Sequence, residues 1–536
     1  MMKAGWKKWS AAGASVLLSL TVAAGCSSSS PPKQEANQKE GQEPAKLQTL
    51  TYWVALSSNV AATLKSFGDM TVYKELEKQT GVHVNFQHPP VGQEKDQFNL
   101  MITGKDLPDV IEYGWTGYPG GPEKAIKDKK IMKLNDIIDK DAPNLKKILD
   151  ANPDWKKQVT TDEGSIYGFP FLRGDDYLLV SKGIALRKDW LDKLHLKMPE
   201  TIDDWNKTLT AIKNSDLNGN GKPDEIPLLI NVGDMGGPVA FLGSFGVNYD
   251  FYQVDGKVKY GPIQPEYKQF LTVMNKWYKE GLLDPDFAVT DSKLKDAKVT
   301  GNQLFATVMS TGSGIGNYTS LVKNNIPGFK LVAAPFPVVN AGDKKLWSAR
   351  TYNFSGGVAA AISTSNKNPE ATAKWLDYAY SDEGKMLFNF GVEGVSYNMV
   401  NGYPTFTDDI MNPKDMSVAQ AMARHVRANF NGPFVEDKRY MEQYAALPEQ
   451  KDSIKIWSEP SDERKLPPVT PTSDESSQFA SIMNDVNTYK DEMFNKFIMG
   501  AEPLDNFDKY VKTIESMGIE DAVKIEQAAL ERYNNR

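Results

Sequence analysis

The ten residues Asp216-Leu217-Asn218-Gly219-Asn220-Gly221-Lys222-Pro223-Asp224-Glu225 carry side-chain oxygens at alternate positions. Asp216, Asn218 and Asn220 can converge inside one tight loop, and Gly221 at the sixth position permits the sharp turn of an EF-hand. Lys222 at the seventh position would contribute its backbone carbonyl, so its charge does not enter the ligation. These are hard oxygen donors, which suit Ca²⁺ and not zinc. An EF-hand ends in a bidentate Glu at position twelve, where Pro227 stands here, so Glu225 beside Asp224 is the expected substitute. The competing reading is an Asn/Gly turn without metal.

A second group could stack on a ligand. Tyr113, Trp115 and Tyr118 follow an expected strand and are spaced by glycines. Ligands of open α/β sheets sit at the carboxyl ends of strands, so an aromatic loop there reads as a platform, with core packing as the alternative. Catalytic signatures fail. There is no G-x-S-x-G elbow and no HExxH pair, and His83, His88, His195 and His425 are scattered. The run from Gly312 to Gly316 is glycine-rich but matches neither nucleotide fingerprint. With 69 acidic residues, paired carboxylates decide nothing. The chain is therefore read as a binding protein and not an enzyme.

These residues need elements to hold them. Helix before and strand after the acidic loop predict a structural ion, because the helix pair that a calcium sensor opens is missing. Thr201 with Asp204 caps the preceding helix. Strands are expected at 50–54, 82–86 and 107–111, with helices at 71–79 and 93–103 between them, which is the signature of a parallel α/β layer. Further helices are expected at 264–280, from Asn368-Pro369, after Ser381, and through most of 474–535.

The N-terminus assigns the compartment. Lys3, Lys7 and Lys8 precede a short apolar run that is too brief for a lasting membrane span and reads as an export signal. It ends in Ala23-Ala24-Gly25-Cys26, a junction that resembles a bacterial lipobox, with an ordinary signal peptide as the alternative. Cys26 is the only cysteine, so no intrachain disulfide can form. Residues 27–46 are mostly Ser, Pro, Gln, Glu and Lys with little to bury, as in a disordered tether. Cleavage before Cys26 would leave the chain more acidic than its overall −7, which excludes nucleic acid as a natural partner.

Four stretches are familiar together: "DLPDVIEYGW" after the first strands, then residues 142–170, 184–205 and 380–397. In this order they resemble extracellular solute-binding proteins of carbohydrate ABC importers, in the long Gram-positive lipoprotein branch similar to alginate-oligosaccharide binding proteins. The resemblance implies an α/β, two-lobed, type II periplasmic-binding-protein fold with the ligand cleft between lobes. It divides the chain into a signal peptide (1–25), tether (26–46), first part of the N-lobe (47–175), a mainly C-lobe stretch with the calcium loop (176–335), a return to the N-lobe (336–400) and a helical region shared between lobes (401–536). It places calcium on Asp216, Asn218, Asn220, Lys222, Asp224 and Glu225. Arg173 falls in a crossover, as a ligand residue or a hinge ion pair. Trp347, Arg350, Tyr352 and Asn353 lie near the return crossover, and Glu393 and Tyr397 in "GVEGVSY", as further ligand residues. The implied protein is a monomer, lipid-anchored through Cys26 at the extracellular face of the cell membrane. It would capture an oligosaccharide, acidic if the arginines meet it, for ABC importer permease subunits.

Overall fold

The computed structural model describes residues 49–235, 240–354, 356–428 and 431–536. Cys26 and the tether lie outside these residues.

The first strands form where β-branched and aromatic residues alternate: Thr49–Trp53, His83–Gln87 and Val110–Gly114. They pair in parallel, with Thr49–Trp53 in the middle. The helix Thr71–Thr80 between the first two stops at Gly81, whose φ of 69° only glycine adopts without strain. Val358–Ile362 then returns antiparallel beside Val110–Gly114, and Phe169–Pro170 closes that edge. A second sheet has the order 331–333, 182–187, 304–310, 226–229, in which Lys182–Arg187 runs antiparallel to both its neighbours. Each sheet has its own apolar core.

Three segments cross from one sheet to the other, and they touch. Leu172–Arg173 pairs in parallel with Val435–Glu436. Asn353 exchanges hydrogen bonds with Arg173, its carbonyl accepting from the Arg173 N–H at 2.9 Å and its amide donating to the Arg173 carbonyl at 2.7 Å. Gly174 permits this closeness, since a Cβ there would lie 2.7 Å from the Glu436 carbonyl.

The C-terminal helices Ser473–Met499, Phe507–Ser516 and Ile519–Asn535 are built into the second core through Val486, Phe494, Tyr510 and Leu530. Their outer ends reach back to the first-sheet side. Asp162 accepts from Arg532 Nε at 2.7 Å and from Arg536 Nη2 at 2.9 Å. Arg532 also pairs with Glu475 at 2.8 Å, and Lys127 with Asp474 at 3.2 Å.

A buried ion pair ties residues beyond 400 to the first sheet. Arg427 Nη2 meets Glu112 Oε1 at 2.7 Å, and Nη1 donates to the Tyr73 hydroxyl at 2.8 Å. Tyr52 donates to the other Glu112 oxygen at 2.8 Å. The guanidinium lies over the Phe67 ring and also donates through Nε to the carbonyl of Asn431 at 3.1 Å.

Candidate functional site

Where the three crossings meet, a cavity of about 240 Å³ opens between the two sheets. The first-sheet side contributes Asn59, Phe171 and Arg173, and the second contributes Ser181, Ser310 and the turn Thr311–Ser313. Residues beyond 430 close it with Asn431, Glu436, Tyr440 and Tyr444. The lining is thus hydroxyls, amides, aromatic rings and two ionisable groups, the mix that binds sugar hydroxyls and faces.

Arg173 is the most telling member. Its guanidinium sits over the Phe171 ring at 5.2 Å, and among the described residues it forms no side-chain hydrogen bond or ion pair. Five N–H donors in a fixed fork are left to the cavity. Glu436 is 6 % exposed, and burial pushes its carboxyl up to about 8 against the opposing pull of Arg173. Its carboxyl shares a hydrogen bond with Tyr440, whose own hydroxyl burial holds well above the ordinary phenol range.

The turn at Thr311–Gly316 is wide-wound, and its first glycine has a steric purpose. A Cβ on Gly312 would overlap the Tyr444 ring. Gly312→Ala is expected to displace Tyr444, cost about 1–3 kcal/mol of stability, and weaken ligand binding. Thermal melts and titration calorimetry of the variant check both effects; a ligand affinity equal to wild type would remove Tyr444 from the site.

Of the ten expected ligand residues, only Arg173 lines this cavity. Asn353 stands one layer behind it, fixing the Arg173 backbone. The expected aromatic platform stands apart from this cavity. Trp115 is 0 % exposed and its indole donates to the Ala359 carbonyl at 3.1 Å, because the returning strand folds it into the core. Tyr118 is buried with its hydroxyl on Asp128 at 2.9 Å, and the half-buried Tyr113 stacks on Phe98 with centroids 3.6 Å apart. None of the three faces the cavity. Trp347 is likewise core, packed near Tyr252, and the Tyr352 hydroxyl is taken by the Leu466 carbonyl at 2.8 Å. The exposed Arg350 and Glu393 and the buried Tyr397, which packs on Phe390, lie away from the lining.

The acidic loop follows the helix Ile202–Lys213, whose start carries the Thr201–Asp204 capping box, and leads into the strand Ile226–Leu229. Gly219 and Gly221 take φ of 78° and 85°, the left-handed turns that fold it inward. Asp216 accepts from the N–H groups of Gly219 and Gly221, each at 2.8 Å, and Asn220 Oδ1 from that of Lys222 at 2.9 Å. The Asn220 amide donates to Asp224 at 2.9 Å. Glu225 Oε1 receives the N–H of Leu217 and of Asn218, but its Oε2 is buried without a partner. An orphaned buried carboxylate oxygen is costly, and a cation is the group that would satisfy it. Among the described residues no three His, Cys, Asp or Glu side chains cluster as a metal site, so a cation here would need asparagine and backbone oxygens to complete its shell.

Two α/β sheets joined by three crossings around a polar cavity define a bilobal solute-binding protein, a machine for holding a molecule and not for converting it. Residues 61–386 match the family model of bacterial extracellular solute-binding proteins, and the chain belongs to that family. It is 29 % identical to the fructooligosaccharide ABC transporter substrate-binding protein FusA of Streptococcus pneumoniae serotype 4, over 98 % of this chain and 99 % of that one. Lipoprotein LipO of Bacillus subtilis is 26 % identical over 97 % and 95 %. Among solved structures, FusA with kestose superposes with a TM-score of 0.75 at 27 % identity, covering 91 % of this chain and 99 % of FusA. An EF-hand mutant of FusA gives 0.74 at 26 %, over 91 % and 99 %. The alginate-binding protein AlgQ2 without calcium ion gives 0.77 at 24 % identity, over 91 % and 100 %, a likeness of fold.

Proposed function

We propose that this protein captures an oligosaccharide outside the cell and hands it to the permease subunits of an ABC importer. The observation that carries the reading is the Arg173 fork, without a side-chain hydrogen bond or ion pair among the described residues, in a cavity otherwise lined by hydroxyls, amides, tyrosines, the Glu436 carboxyl and the apolar Phe171, Leu178 and Met441. FusA, similar over nearly its whole length, is named for binding fructooligosaccharides. An acid-bearing glycan also fits a free guanidinium, in keeping with the name of AlgQ2. A calorimetric and melting-shift screen of neutral and acidic oligosaccharides against peptides tests it. Saturable binding with the glycan recovered intact supports capture; peptide binding alone, or turnover of the glycan, overturns it.

Anchoring belongs to the same reading. Cys26 would carry the lipid that keeps the protein at the extracellular face of the membrane, as the name of LipO suggests for a relative. No helix among the described residues is long and apolar enough to cross a membrane. Metabolic labelling with a fatty acid, lost in Cys26→Ala, checks it.

The 216–225 loop is proposed to hold a structural Ca²⁺ through Asp216, Asn218, Asn220, the Lys222 carbonyl, Asp224 and Glu225, the ion supplying the partner that Glu225 Oε2 lacks. The FusA EF-hand mutant and the calcium-free AlgQ2 structure both point to such an ion in relatives. Free calcium at a hundredfold excess over its dissociation constant should stabilise the fold by about 2.7 kcal/mol. A chelator should lower the melting temperature, and Asp216→Ala should erase the chelator's effect. A chelator that leaves the wild-type melt unmoved would dismiss the ion.

A further inference from the structure

Glu436 and Arg173 are neighbours by register, opposite one another in the short parallel pair that joins two of the crossings, and both face the cavity. They are the only charged residue types in its lining. Yet among the described residues no ion pair unites them, and the one side-chain hydrogen bond that Glu436 makes there is with Tyr440. The other charges nearby are occupied: Asp437 pairs with Arg439 at 2.6 Å, and Lys438 with Asp175 at 3.1 Å. From the crossing strand Glu436 faces Arg173, from the following helix it faces Tyr440, and the wall from the second sheet is neutral. An ionised carboxylate that is buried and not ion-paired is costly, so the neutral acid is the form this environment favours.

Resting on the reading of the cavity as an oligosaccharide site, we infer that Glu436 sets the charge class of the ligand: as an uncharged acid it leaves Arg173 the one uncompensated charge in the cavity, which selects a carboxylate-bearing sugar, a uronide, over a neutral one. The sugar carboxylate would take the guanidinium fork, and the protonated Glu436 would donate to a ligand oxygen instead of repelling it.

The sign of the pH dependence follows. A bound anion disfavours a second negative charge beside it, so binding raises the Glu436 pKa further and takes up a proton once solution pH passes the free-state value of about 8. Affinity for an acidic glycan should be flat below that value and should fall above it, by about tenfold per pH unit at the limit. A neutral glycan carries no charge to repel the ionised acid, so its slope should be shallower. Glu436→Gln keeps the shape of the neutral acid and cannot ionise, so it should remove the slope and bind the acidic probe more tightly than wild type at about pH 9.

The experiment is titration calorimetry of the full chain with oligogalacturonides and with their methyl esters, between about pH 7 and about pH 9, in two buffers of different ionisation enthalpy. Acid preferred over ester, with proton uptake in wild type that is absent in Glu436→Gln, supports the inference. A slope that survives in Glu436→Gln overturns it. Neutral oligosaccharides bound and acidic ones refused would overturn the charge assignment while sugar capture stands; binding of no glycan would remove both. A melting curve of Glu436→Gln matching wild type excludes misfolding as the cause of any loss.

Discussion

Arg427→Met is expected to lower folding stability by about 3–5 kcal/mol, because it strands Glu112 as an unpaired buried charge. Both residues are almost wholly buried, at 1 % and 5 % exposure. The loss spreads. Tyr73 loses its donor, the Asn431 carbonyl loses its anchor, and Phe67 loses the cation over its ring. Glu112→Gln should also destabilise, since it leaves the buried Arg427 guanidinium without its counter-charge and one amide oxygen cannot serve both Arg427 and Tyr52. The double variant Arg427→Met with Glu112→Gln should recover much of the loss, since it removes the uncompensated charge. Urea unfolding of the four proteins, monitored by tryptophan fluorescence, measures the cycle. Strictly additive losses would mean that the pair is not coupled. Because Asn431 lines the cavity, the single variant should also bind ligand more weakly than its remaining folded fraction explains.

Arg173→Ala is expected to weaken ligand binding by about 2–5 kcal/mol, the range for removing a desolvated charged hydrogen-bonding group from an interface. The melting temperature should barely move, because the guanidinium has no side-chain partner to lose among the described residues beyond the Phe171 face. Lysine should not restore binding, since an ammonium lacks the planar fork. The contrast between a large effect on affinity and a small one on stability separates a ligand residue from a hinge residue. A large fall in melting temperature with unchanged affinity would return Arg173 to a structural role.

The alternation of helices and strands was legible because each has a local cause. Thr201 and Asp204 make their capping box, Gly81 turns left-handed, and Ser381 caps the helix Asp382–Phe390. The acidic loop was legible for the same reason, its oxygens lying within ten residues of one another. The cavity was not. Its lining comes from positions as far apart as Asn59 and Tyr444, and only the crossings bring them together. The inward turn of Trp115 was not legible, because a strand end in an open sheet is exposed, whereas here Val358–Ile362 runs beside Val110–Gly114 and draws Trp115 inward. The glycines from 312 to 316 match no nucleotide motif. Their real work is steric, since Gly312 makes room for Tyr444 and Gly316 for the Gln450 amide. Arg173 is the one expected ligand residue that lines the cavity, because it sits in the crossing itself, where chain order and position in space coincide.

The helix Ser473–Met499 has 27 residues, and at 1.5 Å per residue it is about 40 Å long. Its start is gripped by charges on the first-sheet side while its body is set in the second core. Such an element is a lever with its fulcrum at one end. If the grip of Lys127 on Asp474 holds while one sheet turns against the other, each degree of rotation sweeps the Met499 end through about 0.7 Å. The fulcrum is ionic and the load is apolar, so salt should loosen the pivot before it loosens the beam.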